Sequence, residues 1–204
     1  AVAAVGHIGE MVPQELANTL WALAPLRDGQ TDPEGQLASA VQREALLRLG
    51  TVDSVAVFRP QELANVAWSF ATLRRGCDDA PLRTGLAKAV AFHAHAFVPQ
   101  GLATVTWALA TLRAWSFRSA LLSTCAAAVA QRLGGCDAQA LASISWAYAA
   151  MEARSPGLFL PLAAAARRRL QHCTPQALVM LAGAFASVGV AERPLGESLA
   201  QHNR

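Results

Sequence analysis

Residues 13–26 read PQELANTLWALAPL, and residues 60–73 read PQELANVAWSFATL. The same motif returns without gaps as PQGLATVTWALATL at 99–112, AQALASISWAYAAM at 138–151 and PQALVMLAGAFASV at 175–188. Its five starts lie 47, 39, 39 and 37 residues apart, the first interval being long because it holds a polar insertion around 28–36. An internal repeat of this kind decides the fold, because each unit must bury its apolar face against its neighbours.

Each copy opens as a helix should. Pro13, Pro60, Pro99 and Pro175 occupy the first helical position, where a missing N–H costs nothing. Glu15 and Glu62 sit at the third position, where a carboxylate suits the positive helix end. Asp137 and Thr174 are good N-caps for the last two copies. The residue before each cap (Met11, Phe58, Phe97, Cys136, Cys173) pairs with Leu16, Leu63, Leu102, Leu141 or Leu178 four positions into the helix. That pairing is a hydrophobic staple. A second helix is predicted in each unit at roughly 33–49, 80–94, 116–133 and 156–171, with a short one after Pro194. Pro81, Pro156 and Pro194 mark starts, and Gly50, Gly76, Gly134, Gly135 and Gly189 mark ends.

The architecture this implies is all-α: a right-handed α-solenoid of about five helix-turn-helix repeats, with units at approximately 13–59, 60–98, 99–137, 138–174 and a partial 175–204. Its spacing exceeds the roughly 34 residues of tetratricopeptide repeats and falls just short of the roughly 40–47 of HEAT and armadillo arrays. Composition agrees: the chain is 53% hydrophobic with mean hydropathy +0.28, much of it alanine, and has one Tyr. Alanine favours helices and lets them approach closely.

Within the motif, positions four, eight, nine, eleven and twelve are apolar or small, and form the expected packing stripe. The Trp column at position nine (Trp21, Trp68, Trp107, Trp146) belongs to that stripe and reads as core, base stacking being the alternative. Positions three, six, ten and thirteen share another face, small or polar and variable. It supplies the candidate RNA contacts Asn18, Asn65, Ser69, Thr72, Thr104, Thr111 and Ser143, short hydrogen-bonding side chains able to read base edges. The competing reading is a solvated face. Arg27, Arg74 and Arg113 recur at position fifteen, with Arg75 alongside, and are candidates for phosphate contact. Placement against the negative helix end explains them equally well.

The charge is +3 overall, and 16 of the 17 basic residues are Arg. Residues 1–102 carry 8 Lys+Arg against 10 Asp+Glu, a net of −2, and residues 103–204 carry 9 against 4, a net of +5. A polyanion should therefore lean toward the C-terminal half. No catalytic, cofactor or metal site is read: there is no Walker loop, GxSxG or HExxH, and His93 and His95 point about 200° apart on a helix. Asp78-Asp79 reads as a turn and cap. Cys77, Cys125, Cys136 and Cys173 lack metal-ligand spacing and read as reduced, mostly buried thiols. The uncharged stretch 170–191 reads as a buried helix pair, so no membrane span is expected.

The recurring PQELANxxWALATL at this spacing resembles the octotricopeptide and heptatricopeptide repeat proteins of algal and protist organelles, and the repeats of FAST-kinase-like proteins that carry a RAP domain. The resemblance covers almost the whole chain and fades in the last copy, where Gly183 replaces Trp; no RAP-like segment is visible. It implies a mitochondrial or plastid protein that binds single-stranded RNA or rRNA on its concave face, in RNA stability, processing, translation or mitoribosome assembly. The alternative is a structural scaffold that holds other subunits of a large organellar complex.

Overall fold

The computed structural model describes residues 7–25, 36–50, 57–73, 80–113, 118–153 and 156–189. All regular structure among them is helical: α1 (Pro13–Leu23), α2 (Gln36–Gly50), α3 (Pro60–Leu73), α4 (Ala80–His93), α5 (Pro99–Thr111), α6 (Arg118–Arg132), α7 (Ala138–Ala150), α8 (Pro156–Arg167) and α9 (Pro175–Val188). The odd-numbered helices are the five motif copies and the even-numbered ones their partners. Outside the described residues lie Arg27, Arg74 and Arg75, most of the 28–36 insertion, Cys77, Asp78-Asp79 and the short helix expected after Pro194.

Helix starts form for the reasons read from the sequence. The Val12 and Arg59 N–H groups donate to Glu15 Oε2 (3.0 Å) and Glu62 Oε2 (2.8 Å), closing the first turns of α1 and α3. Asp137 Oδ1 accepts from the Ala140 N–H at 2.7 Å, and Thr174 Oγ1 from the Ala177 N–H at 3.2 Å. A single 3₁₀ turn precedes three of the motif helices: Ile8–Glu10, Leu133–Gly135 and Leu170–His172. Ile8, Leu133 and Leu170 hold the same register in these turns and are buried.

The motif helices pack on one another in sequence order, and the partner helices form a second, less closely packed row. Each of the three inner motif helices therefore serves three neighbours: its partner, the preceding motif helix and the following one. Its sequence divides accordingly. Positions four, seven and eleven share one stripe at 100° per residue and face the partner row. They supply Leu63, Val66 and Phe70 in α3, Leu102, Val105 and Leu109 in α5, and Leu141, Ile144 and Tyr148 in α7, all buried. The flanking positions are small because a neighbouring helix lies against each side. Ala64, Ala67 and Ala71 on one flank of α3 are buried, as are Gly101 and Ala108 on the opposite flank of α5.

In three of the pairs an Arg side chain ties the partner helix to the turn before the motif helix. Arg48 at the end of α2 donates from Nη2 to the Gly9 carbonyl (3.2 Å), and Arg169 beyond α8 donates to the Gly134 carbonyl (2.6 Å). Arg132 at the end of α6 donates likewise to the His95 carbonyl. The three carbonyls occupy the same place, three residues before a helix cap. His93 holds the corresponding place at the end of α4.

Cys125 and Cys136 are buried and Cys173 is half-buried, all free. Burial pushes the Cys125 thiol up to about 12. It raises Cys136 and Cys173 as well, with Asp137 adding to the rise at Cys136 and Arg169 opposing it. Burial, followed by the neighbouring Cys125, holds the Tyr148 hydroxyl protonated. Among the described residues no helix is long and apolar enough to cross a membrane.

Candidate nucleic-acid interface

On a helical wheel, position nine lies about 180° from the core stripe of positions four, seven and eleven. The Trp column obeys that angle. Trp21 is 53% exposed, and Trp68, Trp107 and Trp146 are half-buried, the last two with one side against the edge of the core. The core reading of this column is therefore corrected: the tryptophans stand on the open face of the motif row, and position eleven fills the core in their place.

Two adjoining cavities run along this face. The first, about 510 Å³, is lined by Asn18, Trp21, Gln61, Asn65, Trp68, Gln100 and Thr104, with Ala64 and Gly101 beneath. The second, about 330 Å³, shares Trp68, Gln100 and Thr104, and continues through Trp107, Gln139, Ser143, Gln176 and Met180 to Asp137. Their size suits a small ligand or a segment of an extended chain. The Trp21 and Trp68 rings both line the first cavity and form a tilted aromatic pair, centroids 6.2 Å apart and planes inclined at 38°.

Most of the polar candidates meet here. Asn18 and Asn65 line the first cavity, Ser143 the second, and Thr104 both. Gln61 Nε2 donates to Asn65 Oδ1 at 3.2 Å, which orients both amides. The Thr104 hydroxyl donates to the Gln100 carbonyl of its own helix at 3.0 Å. Ser69 is withdrawn from the candidates: it is fully buried and its hydroxyl donates to the Asn65 carbonyl at 2.7 Å. The cause is general. Positions three and ten lie on the flank that packs against the preceding motif helix, so Ser69, Ala108, Ala147 and Ala184 are all buried. Thr72 and Thr111 are half-buried and line neither cavity, and the Thr111 hydroxyl donates to the Trp107 carbonyl at 2.9 Å. Arg113 is exposed just past α5. Arg27, Arg74 and Arg75, at or beside the equivalent position, are outside the described residues.

One set of lining residues was not among the candidates. Gln14, Gln61, Gln100, Gln139 and Gln176 hold position two of every copy, and all five are exposed. Gln61, Gln100, Gln139 and Gln176 line the cavities, and position two shares a helix face with positions six and nine at i, i+4 and i+7. The signal was available, since an invariant polar residue in the first helical turn that caps nothing calls for another explanation.

The chemistry of the face is thus aromatic plates alternating with amides and hydroxyls. Asp137 is the one charged residue among those lining the two cavities, and no Lys or Arg is among them. Such a surface can stack planar groups and satisfy their edges by hydrogen bonds. Among the described residues, no group of three or more His, Cys, Asp or Glu is placed to hold a metal ion. Neither a protein-family model nor a curated protein sequence matches the chain.

Proposed function

We propose that this chain is a single-stranded RNA-binding helical-repeat protein: a right-handed solenoid of about five units that takes RNA or rRNA along its motif-helix face. The observation that carries the reading is the Trp21–Trp68 pair in the wall of a cavity edged by Asn18, Gln61 and Asn65. Aromatic side chains are the usual platforms for unstacked bases, and amides satisfy base edges. A mitochondrial or plastid setting, and a role in RNA stability, processing, translation or ribosome assembly, rest on the resemblance to octotricopeptide and heptatricopeptide repeat proteins. The role is binding rather than catalysis.

A protein-scaffold reading has one observation in its favour. The cavities have no basic lining residue, and aromatic grooves with amide edges also receive extended peptides. Equilibrium binding to a randomised pool of single-stranded RNA, with duplex RNA of equal length as control, separates the two. The single-stranded pool is expected to bind and the duplex to bind far more weakly, because paired bases cannot enter the cavities. Absence of binding to any RNA would favour the scaffold.

A further inference from the structure

We propose, resting on the RNA-binding reading, that Trp21 and Trp68 form a slot that takes one unpaired base between their rings. RNA then lies with its bases turned into the groove and its phosphates outward.

The spacing fits. Stacking repeats at about 3.4 Å, so a base in contact with two rings needs about 6.8 Å between them. The ring centroids stand 6.2 Å apart. At that separation and a 38° tilt the free rings are in direct aromatic contact, so a base enters by parting them and turning them parallel; they ride on separate helices, α1 and α3, and Trp21 is free to turn at the surface. Trp21 is 53% exposed in the free protein, an arrangement that leaves apolar ring surface for a ligand to cover.

The edge chemistry fits as well. With Gln61 Nε2 donating to Asn65 Oδ1, Gln61 Oε1 stays available as an acceptor and Asn65 Nδ2 as a donor. Every base offers an adjacent donor and acceptor on one of its edges once it is unpaired, so the slot grips bases as a class. Phosphates, by contrast, find no cation among the residues lining the cavity. An anion drawn into it would lose hydration without a charged partner. The phosphates are left to the solvent side.

The test compares two ligands on the full chain: a single-stranded oligoadenylate and an oligomer of the same length and backbone with every base removed. Oligoadenylate is expected to bind at least ten-fold more tightly and to quench tryptophan fluorescence. Trp21→Ala should lower oligoadenylate affinity roughly ten-fold, the usual loss on removing one stacking platform, and leave the abasic oligomer unaffected. Trp21→Phe should recover most of the affinity, which keeps the result independent of any folding defect in the alanine variant. Equal binding of both oligomers, or unchanged oligoadenylate affinity in Trp21→Ala, would overturn the slot while RNA binding itself stands. Failure of the wild-type chain to bind oligoadenylate or any other RNA would overturn both.

Discussion

Arg113 has φ 53°, and Glu152 and Gly189 adopt the same left-handed conformation one and two copies later, at 54° and 73°. Position fifteen is thus the place where the motif helix stops, and glycine is the residue that meets that demand without strain. An L side chain there costs about 1 kcal/mol. Arg113→Gly is therefore expected to hold or raise stability in urea unfolding by up to about 1 kcal/mol. If Arg113 also touches phosphate, the same variant lowers RNA affinity several-fold and flattens its salt dependence by about 0.7 in slope. A stable variant with unchanged RNA affinity would reduce Arg113 to a helix stop. The Trp column teaches a different lesson about single residues. Its angle, opposite positions four, seven and eleven, was present in the sequence, but the apolar character of Trp outweighed it and placed the column in the core. Ser69 failed for the opposite reason. Its polarity argued for exposure, while packing on the flank decided its burial, and its hydroxyl is satisfied by its own helix.

At the scale of elements, Pro, Gly and cap residues made the helices legible. The expected partner helices at roughly 33–49, 80–94 and 116–133 correspond to α2 (Gln36–Gly50), α4 (Ala80–His93) and α6 (Arg118–Arg132). The fourth, expected to reach 171, instead ends as α8 at Arg167 and is followed by the 3₁₀ turn Leu170–His172. Apolar periodicity runs on through Leu170, so the sequence joins two elements where the backbone tightens. Which helices touch most closely was not legible. Gly85 sits inside α4, where glycine ordinarily costs a helix about 1 kcal/mol relative to alanine. Its reason is the neighbour: a Cβ there would lie 2.4 Å from the Leu49 carbonyl oxygen of α2. Gly85→Ala should lose about 1–3 kcal/mol of stability as the two partner helices are forced apart. RNA affinity of the folded fraction should not change, because the contact is in the partner row. A neutral or stabilising effect in thermal or urea unfolding would show that the helices are not held so close.

For the whole molecule, the charge distribution meant less than it promised. The C-terminal half carries a net +5, but Arg132 and Arg169 are engaged with backbone carbonyls, and none of the lining residues is basic. The motif row instead offers a face whose plates and amides come from successive copies, with Asp137 the one charged residue lining its two cavities. In the last copy the plate is missing, Gly183 standing at position nine, and Val179 is 72% exposed on the flank that Ala64 and Ala103 bury in earlier copies. The central claim is that single-stranded RNA lies on the motif row with its bases against the tryptophans. Ultraviolet crosslinking of the full chain to single-stranded RNA, followed by mapping of the modified peptides, tests it most directly. Crosslinks are expected in the peptides of α1, α3 and α5, at or beside Trp21, Trp68 and Trp107. Crosslinks confined to the partner helices α2, α4, α6 and α8, or none at all, would contradict it.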